Sequence, residues 1–108
     1  MSLHVAPEEL KLVCTILRKH FPDHEVWAFG SRVHGENLKP YSDLDLVVIT
    51  QQPLDMLAIA EAKDDFTESV LPFKVDLLDW STTNDAFRKE IRRHSLVVQQ
   101  GTGGCLPE

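Results

Sequence analysis

The sequence predicts an α+β domain in which helices flank a small mixed β-sheet. Apolar residues recur at helical spacing over residues 7–20, and short strand-forming runs alternate with further helical patterns after that point. Helices and strands mixed in this way pack as layers around one core. The short link between the first two strands does not require a parallel crossover, which favours a mixed sheet.

The predicted elements follow one another as helix, strand, strand, helix, strand, helix and a last short strand. Pro7 suits the first turn of the first helix. Gly30 and Ser31 break the first strand, and a short helix or turn is expected to follow them. Ser81 or Thr82 is expected to cap the last helix. The expected helices cover residues 7–20, 54–70 and 84–94, and the expected strands cover residues 25–29, 43–50, 73–80 and 96–98.

Each predicted helix has an apolar side that is expected to face the core. On the last helix that side carries Phe87 and Ile91, four residues apart. The first helix contributes Leu10, Val13, Cys14, Leu17 and Phe21, and the middle helix contributes Leu54, Leu57, Ala58, Ala62, Phe66 and Val70.

Length and composition predict one globular domain. The chain has 108 residues, of which 43% are hydrophobic and 26% charged, so it can form a compact core and is not expected to be disordered. We expect a single domain over residues 1–108, with its core at about residues 8–98 and a loose tail at 101–108. The two cysteines, Cys14 and Cys105, lack metal-ligand spacing.

Charge and hydropathy argue against nucleic acid and membranes as binding partners. A net charge of −6 argues against direct nucleic-acid binding through a basic surface. No stretch approaches the length of an apolar membrane span, and the N-terminal residues do not form a secretory signal pattern. These observations predict a cytoplasmic protein with no membrane contact.

Two carboxylates at the start of a predicted strand are the strongest functional signal. Asp43 and Asp45 are separated by one residue and are followed by an apolar run. Alternate residues of a strand face the same way, so both carboxylates are expected to lie at one spot. A carboxylate held among apolar residues is costly unless it is paired or binds a cation. The pair therefore predicts a site for a hard cation such as Mg²⁺.

A third acid is available on the next predicted strand. Asp76 lies between apolar strand residues and would join the first two acids if the strands are neighbours. Three carboxylates around one or two Mg²⁺ ions are typical of metal-assisted nucleotidyl transfer. Asp79 is the competing residue, but it lies three positions on, at opposite strand parity, and suits a polar strand end better.

The Gly30–Ser31 pair lies between the first strand and the acid-bearing one. Glycine lets the backbone approach a ligand closely, and turn amides bind phosphate well. Arg32 is a candidate phosphate contact, and an exposed arginine without such a role is the open alternative. The pair alone is weak evidence; its position is what makes it informative.

The combined pattern resembles the nucleotidyltransferase superfamily that includes DNA polymerase beta, poly(A) polymerases and kanamycin nucleotidyltransferase. The shared signature is Gly-Ser, a spacer, Asp-x-Asp and a later third acid. Here eleven residues separate Ser31 from Asp43, slightly more than is commonest, and a loop absorbs the difference easily. The segment over residues 29–46 is similar to the compact branch called minimal nucleotidyltransferases, or MNT proteins, and the likeness covers residues 8–98.

This resemblance implies a nucleotidyltransferase-like fold and a set of roles. Gly30 and Ser31 would hold the triphosphate, with Arg32 kept as the further nucleotide-binding candidate given above, and three acids (Asp43, Asp45 and Asp76) would be both catalytic residues and metal ligands. Mg²⁺, as two ions, and ATP or another nucleoside triphosphate would be required. The resemblance also implies a small helical HEPN-type partner, for which the MNT protein acts as antitoxin by transferring AMP to a tyrosine.

Two alternatives stay open at this point. The chain is a non-catalytic antitoxin or regulatory subunit that masks its partner, or it modifies a small molecule such as an antibiotic. The second alternative needs an acceptor pocket that only another copy of the chain would supply, so a homo-oligomer is also left open.

Overall fold

A four-stranded mixed sheet organises the protein. The computed structural model describes residues 3–35, 38–39 and 41–101, so the predicted tail lies almost wholly outside the described residues. The elements are α1 (Pro7–His20), β1 (Glu25–Phe29), α2 (Ser31–His34), β2 (Leu44–Ile49), α3 (Met56–Glu68), β3 (Val75–Asp79), a 3₁₀ turn (Trp80–Thr82), α4 (Asp85–Arg93) and β4 (Ser95–Gln99).

The strand order confirms the mixed α+β sheet. The order is β3-β2-β1-β4. β1 pairs antiparallel with both β2 and β4, whereas β2 and β3 run parallel. Parallel strands need a long crossover, and α3 provides it between β2 and β3. The acid-bearing strands are therefore direct neighbours.

The main core lies between one face of the sheet and the helices α1 and α3. Leu44, Leu46 and Val48 alternate along β2 and are fully buried on this face. The side of α1 predicted to be apolar packs against them, and Cys14 is buried there as expected. This face anchors β2 firmly and leaves its other face for the site.

The opposite face of the sheet is covered in part by α4. Val47, Trp80 and Ile91 are buried together here. The prediction for Ile91 is confirmed, whereas Phe87 remains 38% exposed at the rim, with its ring centroid 5.8 Å from that of Phe29. Strand alternation places the predicted acids of β2 and β3 on this second face.

Helix α3 is shorter than the predicted helix over 54–70, because a cap fixes its start. The Asp55 carboxylate accepts a hydrogen bond from the Leu57 amide at 3.2 Å and caps the helix, which begins at Met56. Leu57 is 63% exposed, and Val70, two residues beyond the helix end, is 90% exposed. The predicted burial of these two side chains is wrong.

The cap of α4 also differs from the prediction. Asn84 caps the helix by accepting a hydrogen bond from the Phe87 amide at 2.8 Å. Ser81 and Thr82 instead form the 3₁₀ turn that follows β3. Across residues 3–35, 38–39 and 41–101, no helix combines the length and apolar character needed to cross a bilayer.

Candidate active site

Asp45 and Asp76 lie side by side on neighbouring strands. They are register partners in the parallel β2–β3 pair. Residues opposite each other in such a pair share a face, and adjacent strands lie about 4.8 Å apart. The structure therefore brings together two of the three predicted acids, from segments about thirty residues apart in the chain.

Asp43 adjoins this pair at the entry to β2. The Leu44 amide donates to the Lys74 carbonyl at 2.9 Å, so strand pairing extends to the point where the chain leaves Asp43. Asp43 is exposed and lies two residues before Asp45, which places it on the same side of the chain. The three acids thus form one cluster at this end of the sheet.

The pKa of Asp45 reflects this crowding of carboxylates. Burial, first, and then the charges of Asp76 and Asp43 together raise the pKa of Asp45 to about 6. Within the described part of the chain, no donor is hydrogen-bonded to its carboxylate. Asp45 therefore carries a charge that its own protein does not neutralise.

Gly30 lies against this carboxylate. Its φ of +82° falls in the region that favours glycine, and a Cβ atom at this position would lie 2.5 Å from Asp45 Oδ2. A side chain here would collide with the acid. The Gly-Ser turn and the acid cluster are therefore in contact, although α2 and a further loop lie between Gly30 and β2 in the chain.

Ser31 is the first residue of the short helix that follows Gly30. The amides of Val33 and His34 both donate to the Gly30 carbonyl, at 3.0 and 3.1 Å, and so fix the turn. Ser31 is half-buried, and its hydroxyl makes no hydrogen bond to any described residue. The hydroxyl is therefore available to a ligand at the Gly-Ser turn.

Arg32 is buried rather than exposed, so the exposed-arginine alternative is wrong. The residue is 5% exposed. Its Nε donates to the Ser42 carbonyl and its Nη1 to the His4 carbonyl, both at 2.8 Å, and the guanidinium lies 4.1 Å from the Phe73 ring centroid. Burial lowers the pKa of Arg32, and the nearby negative charges of Glu9 and Asp43 oppose that effect.

Asp79 lies on the other face of the sheet, as strand parity predicts. Its carboxylate accepts hydrogen bonds from the Thr50 hydroxyl, the Leu54 amide (2.7 Å), and the amide and hydroxyl of Ser81 (3.0 and 2.8 Å). Burial raises the pKa of Asp79, but these hydrogen bonds outweigh burial and hold it below its ordinary value. Asp79 is a structural residue at the end of β3.

The chemistry of the acid cluster suits Mg²⁺, and its geometry is that of an open site. No three His, Cys, Asp or Glu side chains among the described residues are gathered closely enough to hold a metal ion by themselves. Mg²⁺ usually binds through one or two carboxylates and takes its other ligands from water and substrate phosphates. Hard oxygen donors with unneutralised charge, as at Asp45, fit that mode of binding.

Several residues that shape the site were not identified in the sequence. The carbonyls of His4 and Ser42 and the ring of Phe73 hold Arg32. Backbone carbonyls carry no sequence signal, so no motif reveals the first two contacts.

Residues 10–100 match the family profile described as Nucleotidyltransferase domain. The chain belongs to this nucleotidyltransferase family. A relative from Haemophilus influenzae, named "Probable protein adenylyltransferase MntA", is 53% identical over 99 residues, which cover 92% of this chain and 86% of that protein. "Protein adenylyltransferase MntA" from Thermococcus cleftensis is 30% identical over 95 residues, covering 84% and 94%. The predicted family is confirmed.

Solved structures agree with this nucleotidyltransferase fold. A crystal structure described as a toxin-antitoxin with AMP-PNP superimposes with a TM-score of 0.68 at 23% identity, over 84% of this chain and 73% of that one. An MNT antitoxin in complex with a tri-AMPylated HEPN toxin from Shewanella oneidensis gives a TM-score of 0.64 at 22% identity, over 86% and 71%. At these identities the likeness establishes the fold.

Proposed function

We propose that this nucleotidyltransferase domain transfers AMP from ATP to a hydroxyl group on a partner protein, using Mg²⁺. The observation that carries the proposal is the pairing of Asp45 with Asp76, with Asp43 beside them and Gly30 against the Asp45 carboxylate. The names of the two MntA relatives, both protein adenylyltransferases, support a protein acceptor.

Nucleotide binding is assigned to the Gly-Ser turn and the acids together. The Ser31 hydroxyl and the turn amides would take the triphosphate, and Asp43, Asp45 and Asp76 would hold the cation that accompanies it. Bound Mg²⁺ neutralises phosphate charge and stabilises the oxygens that attack and leave. The predicted direct contact of Arg32 with phosphate stays a prediction, because the structure shows this side chain turned towards backbone carbonyls.

The reaction transfers the AMP group of ATP to the acceptor hydroxyl and releases pyrophosphate. The acceptor hydroxyl oxygen attacks the α-phosphorus, and the bond from that phosphorus to the oxygen bridging to the β-phosphate breaks. Pyrophosphate leaves with the bridging oxygen. We assign the hydroxyl proton to Asp76, whose side chain is 44% exposed and so can be reached by an acceptor coming from solvent.

The partner we propose is a small helical HEPN-type toxin in the cytoplasm. The Shewanella complex shows that an MNT antitoxin and an AMPylated HEPN toxin associate in that system. Transfer of AMP to such a toxin would inactivate it, whereas the masking alternative needs only binding. The two mechanisms differ in whether the carboxylates are required.

Label transfer separates the two mechanisms. The protein is incubated with the product of its adjacent gene, Mg²⁺ and ATP labelled at the α-phosphate. We expect label on the partner with the wild type and with Asp64→Ala, an exposed acid on α3 that serves as the matched control. Asp43→Ala should abolish the label. Neutralisation of the partner by Asp43→Ala without any label would instead establish masking.

A further inference from the structure

We propose that Arg32 is a positioning residue that fixes the geometry of the acid cluster, and that it does not contact the nucleotide. The inference rests on the proposed function, because it concerns the same acids. Its basis is that one buried guanidinium contacts three chain segments, two of which lead directly into the acid-bearing strands.

The first contact controls the entry to β2. Arg32 Nε donates to the carbonyl of Ser42, the residue directly before Asp43, at 2.8 Å. The Ser42 hydroxyl and amide are themselves bonded to Lys39, which closes the preceding turn. The peptide between Ser42 and Asp43 therefore has its carbonyl held, and this restricts the directions that the Asp43 side chain can take.

The second contact controls the entry to β3. The Arg32 guanidinium carbon lies 4.1 Å from the centroid of the Phe73 ring, a distance typical of a cation–π contact. Phe73 is 7% exposed and lies three residues before Asp76. From its place in α2, Arg32 thus contacts the segments that lead into Asp43 and Asp76.

The third contact fixes Arg32 itself. Its Nη1 donates to the His4 carbonyl at 2.8 Å, and the His4 amide donates to the Arg32 carbonyl at 2.7 Å. The segment before α1 is therefore linked to both the side chain and the backbone of Arg32. A guanidinium committed in this way would have to leave buried partners in order to reach a phosphate, which is costly.

A lysine cannot replace these contacts. The guanidinium is planar, donates in several fixed directions and stacks on aromatic rings, whereas an ammonium is a single compact charge. Arg32→Lys keeps the positive charge but cannot hold the Ser42 and His4 carbonyls and the Phe73 ring at once. The substitution therefore tests the contact geometry of Arg32 while its positive charge is kept.

Metal affinity is the measurement that tests the positioning role. Mn²⁺ binding to the protein without ATP is followed by electron paramagnetic resonance, and AMP transfer is measured in parallel at saturating Mg²⁺. For Arg32→Lys we expect Mn²⁺ binding and kcat each to fall about tenfold, as for other residues that orient metal ligands, while KM for ATP stays within about twofold. The matched control is Arg93→Lys, at an exposed arginine on α4.

The opposite pattern would overturn the inference. Unchanged Mn²⁺ affinity together with a large rise in KM for ATP would make Arg32 a nucleotide contact. If Arg32→Lys does not fold, Phe73→Leu tests the same idea, because it keeps Arg32 and removes only its ring partner; unchanged Mn²⁺ affinity in that variant would refute the inference. A third outcome separates the two proposals. If the wild type binds Mn²⁺ but transfers no AMP, and Arg32→Lys binds Mn²⁺ more weakly than the wild type, the proposed function fails and the positioning role stands.

Discussion

The two ends of the β2–β3 strand pair each hold an aspartate withdrawn from solvent, and the fold treats the two in opposite ways. At one end burial, Asp76 and Asp43 together raise the pKa of Asp45 to about 6. At the other end burial also acts on Asp79, but donors from Thr50, Leu54 and Ser81 bring its pKa below the ordinary value.

The difference shows what distinguishes a structural carboxylate from one that serves a ligand. Both aspartates lie on the same pair of parallel strands, but strand alternation turns them to opposite faces of the sheet. On one face the loop after β2 and the turn after β3 supply hydrogen bonds to Asp79, whereas on the other face Asp45 meets the charges of Asp76 and Asp43. The hydrogen bonds to Asp79 stabilise its charge within the fold, whereas the charge of Asp45 has no such donors among the described residues, as the proposed cation site requires.

The largest expected effect comes from removing the charge of Asp45. Asp45→Asn should lower AMP transfer by about a thousandfold or more, because a metal ligand contributes several kcal/mol to the transition state. The same change relieves repulsion among the acids. We therefore expect the Tm of the variant, measured in a chelator, to rise above that of the wild type. A lower Tm would show that Asp45 is a structural residue like Asp79.

Asp79→Asn should produce the reverse pattern. Asparagine has one acceptor oxygen where aspartate has two, so it cannot accept from the Leu54 amide (2.7 Å) and from the Thr50 and Ser81 donors at the same time. A buried donor left without its acceptor costs about 2 kcal/mol, which is about 10 °C in Tm for a domain of this size. AMP transfer below the Tm should stay near the wild-type rate. A stable variant without activity would place Asp79 in the site.

The smallest expected effect is the response of stability to acid. The pKa of Asp79 is lower in the folded protein than in the unfolded chain, so its ionised form stabilises the fold. That contribution is complete above the unfolded pKa of about 3.9 and is lost as pH falls through the folded value. Urea unfolding at about pH 5 and about pH 3 should show a larger loss for wild type than for Asp79→Asn.

Equal losses in the two proteins would contradict this assignment. Asp65 serves as the internal reference, since hydrogen bonds from His20 and Lys19 also lower its pKa and it is present in both proteins. Its contribution cancels in the comparison, so only the difference between the proteins reports on Asp79.

The sequence predicted most of the fold because its signals are local. Helical spacing marked α1 to the residue, and the alternation of side chains along a strand correctly assigned Asp76 and Asp79 to opposite faces of the sheet. The predicted burial failed at the two ends of α3. Leu57 lies in its first turn and Val70 beyond its last residue, so both fit the apolar spacing while remaining exposed.

The environment of Arg32 was beyond prediction for a different reason. Among the described residues its partners include the backbone carbonyls of His4, 28 residues before it, and Ser42, 10 residues after it, and the ring of Phe73. Any residue type supplies a carbonyl, so the contacts leave no trace in composition or spacing. Only the folded arrangement shows that this arginine turns inward.

Gly30 offers a practical way to recognise decayed copies of such a domain in genomes. Only a hydrogen atom fits between this α-carbon and the Asp45 carboxylate, because a methyl carbon would lie 2.5 Å from the oxygen. A copy that has replaced the glycine cannot keep its acid in place, even when every aspartate is still encoded. Replacement of Gly30 is therefore expected to displace the Asp45 carboxylate even where no charged residue has changed.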